Sequence, residues 1–377
     1  MYVQEIKSQQ IATDREGFWV VLTRYKRLGL QLWVLGVGFV VLAHGILAYS
    51  VSPRCHLTYH NPVCMAINRD KDQLKPDSRE YAILSGLQWV LVLVDDDSRF
   101  EYIASDYLLM LEELETASRN SAMGGYVEAL SRQALSRLAG RLATVFPITE
   151  PARHQFIAIL PYVYKYGVEV DKFVGYYRLG LGQLPLVEEK SNFDNAVKSK
   201  DYSTLTDIII NVYYQDRLHK RFPKNTLGID LALSQGQLNR YLAKLATLDF
   251  AYDYTIADKY SLQNYYVTHL IFVMSDFGRH APIKNGLSQR LEEYLLTHFD
   301  AVRNIVNDRD LLAEFIHCLK ILGHDKLPKL RGAERYLLGL QDKQGSWTSP
   351  YYQSGDAYDQ FHPTWTVLTA LNYESPW

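Results

Sequence analysis

Between Leu28 and Val51 the sequence LGLQLWVLGVGFVVLAHGILAYSV carries no charged side chain, and Gln31 and His44 are its only strongly polar ones. At a helical rise of ~1.5 Å per residue such a run is about 36 Å long, enough to cross a bilayer with some tilt. The run predicts a transmembrane helix over residues 28–51, acting as a signal-anchor. Arg15, Arg24, Lys26 and Arg27 precede it, whereas the stretch just after it offers only Arg54. Positive charge is retained on the cytoplasmic side, so residues 1–27 are expected in the cytoplasm and the main domain in the periplasm or outside the cell. The alternative is a signal peptide cleaved near Ala48-Tyr49-Ser50, for which the apolar run and the region before it are both long.

Cysteine usage fits that placement. Cys55 and Cys64 lie nine apart in RCHLTYHNPVC, just past the apolar run. In an oxidising compartment this spacing suits a short disulfide loop, so residues 52–75 read as an extracytoplasmic linker with one disulfide. His56 and His60 in the same loop leave a metal cluster as the alternative. Cys318, inside a helical pattern, is expected to be a buried free thiol. A net charge of −2 with no long basic run lacks the electrostatic footprint of a nucleic-acid binder, and no nucleic-acid partner is expected.

From about Pro76 the chain reads as helix after helix, broken at SRNSAMGG, FPITEP, LGQLP, RFPKNTLG, GRHAP and LGHDKLP, with no alternating strand. Residues 76–377 therefore predict one all-α domain of helical hairpins.

Two helices within it carry polar stripes. From Tyr265 to His280 apolar residues occupy almost the whole circumference, the mark of a helix buried on all sides. His269, Asp276 and His280 nevertheless follow one another at intervals of seven and four, which at helical period puts them within about 40° of each other. The second helix, Asp310 to Leu322, gathers Leu311, Leu312, Phe315, Ile316, Leu319 and Leu322 on one side and Asp310, Glu314 and His317 on the other. An inner helix of an α/α barrel has this division; so does an amphipathic surface helix. His269, His317 and His362 are 48 and 45 residues apart, about one hairpin with its loops, which would aim three successive inner helices at one centre.

Gln341-Asp342-Lys343-Gln344-Gly345-Ser346-Trp347 matches the QxxxGxW pattern and resembles the α-toroid (α/α barrel) superfamily of terpene and squalene cyclases and protein prenyltransferases. The likeness covers chiefly Asp308 to Tyr373, and it implies an α/α toroid in which Gln341, Gly345 and Trp347 carry fold rather than chemistry. The catalytic motifs of these families are not present. Asp95-Asp96-Asp97-Ser98-Arg99 is neither the DxDD acid of the class II cyclases nor the DDxxD of the class I enzymes. Tyr358 to Trp365 looks like the place of the prenyltransferase zinc-ligand histidine, here His362, but the Asp-x-Cys pair that partners it is missing.

What remains is a constellation. His269, Asp276, Glu314, His317 and His362 are the candidate metal ligands, with His280 at their edge. Asp276, Asp310 and Glu314 are the candidate catalytic carboxylates, and Asp310 or Asp359 is the expected partner of a ligand imidazole. Imidazole with carboxylate suits a first-row transition metal, Fe, Mn or Zn. The expectation is a membrane-anchored, extracytoplasmic, metal-dependent toroid enzyme acting on a lipid, isoprenoid or peptide substrate in a central cavity. The alternatives are an α/α-barrel carbohydrate-active enzyme (lyase, epimerase or hydrolase) and a non-catalytic binding scaffold.

The topology is directly testable. Protease added to intact cells, or to cells with only the outer envelope opened, should digest the C-terminal domain, and non-reduced peptide mapping should find Cys55 joined to Cys64. Full protection until lysis would reverse the orientation.

Overall fold

The computed structural model describes residues 61–117, 122–183, 190–221, 236–348 and 356–375, and all of the regular structure among them is helical. In chain order the helices are α1 (Pro62–Lys71), α2 (Arg79–Asp95), α3 (Asp97–Ala117), α4 (Ala122–Ala139), α5 (Leu142–Val145), α6 (Glu150–Tyr166), α7 (Val170–Leu179) and α8 (Lys190–Ser199). They continue with α9 (Tyr202–Arg221), α10 (Gln237–Leu245), α11 (Ala257–Met274), α12 (Gly286–Ala301), α13 (Arg309–Ile321), α14 (Pro328–Gly339) and α15 (Ala357–Asn372).

Local chemistry sets their boundaries. Ser78, Thr149, Asn285, Asp308 and Asp356 each stand one residue before a helix and accept a backbone N–H of its first turn, groups that the helix itself cannot satisfy. Pro62 and Pro328 occupy first-turn positions, where a missing N–H costs nothing. Helix α6 ends on Gly167, whose φ of +64° favours glycine.

Six helices pack in a series that returns to its start: α3 on α6, α6 on α9, α9 on α11, α11 on α13, α13 on α15, and α15 on α3. The others attach to it, α2 on α3 and α15, α4 on α3 and α6, α7 on α6, α8 and α10 on α9, α12 on α11 and α13, and α14 on α13. Between the two sets lies a core that includes Leu108, Phe156, Leu205, Leu270, Phe315 and Leu368, all fully buried. Every residue of α13 from Asp310 to Ile321 is buried, the polar stripe included, so this helix is not an amphipathic surface helix.

The QxxxGxW segment works as a clamp. Gln341 Nε2 donates to the Ala82 carbonyl of α2 at 2.8 Å and to the Gly345 carbonyl at 2.9 Å. Trp347, fully buried, donates its indole N–H to Leu337 O of α14 at 2.7 Å, while its backbone N–H reaches Thr364 Oγ1 of α15 at 3.1 Å. Two glycines allow the approach. Gly345 has φ +102° and a Cβ there would stand 2.4 Å from Ser85 O; a Cβ on Gly86 would stand 2.7 Å from the Trp347 ring.

Two expectations from sequence change, and one lies outside the described residues. The expected linker 52–75 contains α1, held by Asn61 as its cap and packed on α2 through buried Cys64 and Ile67, so the helical domain begins before Pro76. The helix expected to run from Tyr265 to His280 stops at Met274, and the chain then turns with φ of +51°, +54° and +78° at Asp276, Phe277 and Gly278. Among the described residues no helix is long and apolar enough to cross a membrane; the expected span 28–51, like Cys55, lies outside them. Cys318 is the expected buried free thiol.

Replacing Gly345 by alanine forces both a strained φ and a collision with a backbone carbonyl. The Gly345→Ala variant should lose more than about 2 kcal/mol of unfolding free energy in urea. A loss below about 0.5 kcal/mol would show that the clamp does not depend on this approach.

Candidate metal centre

Polar side chains from all six helices of the closed series bond to one another. Tyr162 of α6 donates to Glu112 of α3, and Arg217 of α9 reaches the same carboxylate although α9 and α3 lie two steps apart in the series. Trp365 of α15 donates its indole N–H to Glu113 of α3 at 3.0 Å. Helices α11, α13 and α15 meet at Asp310.

Asp310 is 3% exposed. Its Oδ2 accepts the Tyr265 hydroxyl at 2.9 Å and stands 2.9 Å from His362 Nδ1, while its buried Oδ1 has no hydrogen-bond partner among the described residues. The Tyr265 hydroxyl lies also 3.2 Å from Asp308 Oδ2, and Asp308 Oδ1 caps α13 by accepting the Asp310 N–H at 3.0 Å. One turn along α13, Glu314 accepts the Thr268 hydroxyl of α11. Asp310, Glu314 and His362 each bring one potential ligand atom within 4.8 Å of the others.

His269 stands beside this set. Its Nδ1 is 2.6 Å from Tyr265 O, an acceptor only, so that nitrogen carries the proton and Nε2 is left with its lone pair. The same Nδ1 is 3.8 Å from Glu314 Oε2.

Burial and neighbouring charge divide these groups. Burial pushes His362 down, but the Asp310 carboxylate outweighs it and holds the imidazolium up to about 9. Burial likewise raises Asp310, and His362, by charge and by hydrogen bond, with the Thr366 and Tyr265 hydroxyls beside it, brings it below its usual value. Glu314 is driven well up by burial and then by the Asp310 charge. Burial raises Asp106 and Asp308 to about 6 and Glu113 to about 7, and lowers His269 to about 4. Without a cation the site is thus an imidazolium paired with the Asp310 carboxylate, beside acids whose protons burial holds more tightly than water does, and a cation bound there would release protons.

The residues expected from sequence do not all converge. Asp310, Glu314 and His362 come together, with His269 adjoining. Asp276 does not join them. Because α11 ends at Met274, the helical period linking it to His269 is broken. Its Oδ1 instead lies 3.2 Å from Arg279 Nη1 and 3.7 Å from Arg217 Nε and accepts the Tyr213 hydroxyl. This second cluster is a compensated set of charges. Burial raises Glu112, but Arg279 and Arg217 hold it down at about 2. His280 has its side chain 76% exposed. His317 is buried between the rings of Phe272 and Tyr373, at 5.1 and 4.8 Å, and burial lowers it to about 3; it is not one of the three clustered residues.

Sequence reasoning missed Tyr265, Thr268, Asp308, Asp106 and Glu113. Tyr265, Thr268 and His269 follow the i, i+3, i+4 pattern of one helix face, a signal that was legible. Asp106 and Glu113 lie seven apart on one face of α3, but that helix also carries Asp97, Glu101, Glu112 and Glu115, so nothing in the sequence singles the two out. A separate surface pocket of about 850 Å³, lined among others by Ser288, Glu292, Ile321 and His324, shares no residue with this interior.

A family model described as a domain of unknown function (DUF6895) matches residues 260–363, which run from α11 into α15 and include Tyr265, Asp310, Glu314 and His362. No curated protein and no solved structure matches the chain.

The position of Glu113 gives a signed pH effect. A carboxyl raised in the folded state from its ordinary 4.5 to about 7 weakens the fold as pH rises through that interval. Glu113→Gln can still accept from Trp365 and lacks this titration. Comparing urea unfolding at pH 4.5 and 8 without metal, the variant should gain about 3 kcal/mol on the wild type. Parallel pH profiles for the two proteins would show that Glu113 does not hold its proton in the fold.

Proposed function

We propose that the chain is a membrane-anchored enzyme of the α/α toroid kind, with its active site among the six inner helices and a first-row transition metal bound there by Asp310, Glu314 and His362. The carrying observation is Asp310 Oδ1, a buried carboxylate oxygen with no donor among the described residues, in a set whose potential ligand atoms lie within 4.8 Å of one another. A buried acceptor without a partner costs on the order of 1–3 kcal/mol, and a cation would remove that cost. Mixed imidazole and carboxylate donors fit iron, manganese or zinc. The toroid reading is supported by the return of α15 onto α3 and by the QxxxGxW clamp on α2.

Such a metal would supply Lewis acidity or an activated water. The chain's own residues do the rest. Asp310 and Glu314 offer charge at the centre, Tyr265 and Thr268 hold those carboxylates, and His269, with Nε2 bare, can take a proton from a bound group. A tether at residues 28–51 would keep the site close to a lipid or isoprenoid, or to a peptide secreted across the membrane, and a Cys55–Cys64 disulfide would close the chain just past that tether.

Metal analysis of the full-length protein purified in mild detergent under metal-replete conditions should find close to one equivalent of a transition metal. The His362→Ala variant should lose it while keeping its helical circular dichroism. A wild-type protein without stoichiometric metal would leave the polar cluster as a hydrogen-bonded core. If it then acted on polysaccharides, the carbohydrate-active reading, favoured by the near-neutral Glu113 carboxyl, would replace this one.

A further inference from the structure

We infer that Tyr265 and Thr268, neighbours on one face of α11, determine which metals the centre accepts, by occupying one oxygen of each ligand carboxylate and limiting each to a single metal bond. The inference rests on the metal reading above and concerns how the site discriminates.

The two carboxylates are held alike. On Asp310 the Tyr265 hydroxyl sits on Oδ2 at 2.9 Å, where His362 Nδ1 also bonds at 2.9 Å when no metal holds it, and Oδ1 has no donor among the described residues. On Glu314 the Thr268 hydroxyl sits on Oε2. Thr268 is fully buried, so its hydroxyl has no solvent to turn to, and its one proton is divided between Glu314 Oε2 and the Tyr265 carbonyl at 2.8 Å on its own helix. The Tyr265 ring is braced against His269, whose Nδ1 bonds back to the Tyr265 carbonyl at 2.6 Å. Both donors therefore come from one helix, α11, and both acceptors from one helix, α13, so their registry is fixed by the packing of that pair.

A carboxylate oxygen that accepts a fixed hydroxyl has one lone pair engaged and offers less to a cation than its partner oxygen does. Each ligand then coordinates through one oxygen. Two single-oxygen carboxylates and an imidazole make a small ligand set, suited to first-row transition ions. Calcium requires six to eight oxygens and commonly takes a carboxylate through both. The α11 hydroxyls would thus exclude calcium from a centre that is otherwise rich in carboxylate, which matters outside the cytoplasm where calcium is abundant.

The test uses the full-length chain in mild detergent, stripped of metal, with Co(II) and Ca(II) as probes read by calorimetry and, for cobalt, by absorption. Tyr265→Phe and Thr268→Val should each weaken Co(II) binding by about 10- to 100-fold. The double variant should show a smaller ratio of cobalt to calcium affinity and altered cobalt bands, readouts that a loss of packing alone would not produce. Thr268→Ser, which keeps the hydroxyl, should bind as the wild type does. Wild-type cobalt affinity and selectivity in Tyr265→Phe and Thr268→Val would overturn the inference and leave the metal centre standing. A wild-type chain that binds no cobalt would remove both.

Discussion

Everything in the described domain depends on bringing its two ends together. Gln341 bonds to Ala82, Tyr102 to Asp356 at 3.1 Å, Glu113 to Trp365 at 3.0 Å, and Asn372 to Leu114 at 3.2 Å. Each pair is separated by more than 250 positions, so closing the series orders a very long loop before the contacts are made. The entropy of closure grows only slowly with loop length, and the apolar area that α15 buries against α2, α3 and α13 offsets it. The clamp explains why the junction is tight rather than merely greasy: Gly86 and Gly345 let Trp347 and a backbone strand approach α2 more closely than any side chain would permit.

Closure turns charged faces toward one another, and the two resulting clusters solve that problem differently. Glu112 and Asp276 answer Arg217 and Arg279, with Tyr162 and Tyr213 completing the hydrogen bonds. Removing one member would strand a buried charge, so this set behaves as a cross-link between α3, α6, α9 and the turn after α11. Around Asp310 the acids outnumber the bases. Among the described residues His362 is held as an imidazolium, burial drives the Glu314 carboxyl up, and Asp310 Oδ1 has no donor. A fold can meet its own needs with the first arrangement; the second leaves a buried acceptor without a donor among the described residues, and that difference is the physical basis for proposing the chemistry at Asp310 rather than at Asp276.

The sequence by itself determined the helical class, through helical periodicity punctuated by proline and glycine breaks, and it marked the QxxxGxW segment, whose spacing is local although its partners lie on α2, α14 and α15. It also placed Asp310, Glu314 and His317 on one stripe of α13, because a continuous helix converts intervals into angles. His362 was reached by hairpin spacing. What the tertiary structure alone decided was which of these polar residues face each other. Asp276 left the stripe because the backbone abandons helical φ at that residue, a change invisible to any periodicity that assumes the helix continues. His317 shares the stripe with Glu314 but meets the rings of Phe272 and Tyr373 instead of the carboxylates. Tyr265, Thr268 and Glu113 gained their meaning only from partners on other helices, between 46 and 252 positions away for Thr268 and Glu113. Periodicity reports which side of a helix a residue occupies; the packing of six helices decides what stands opposite, and the chemistry of a site belongs to that second relation.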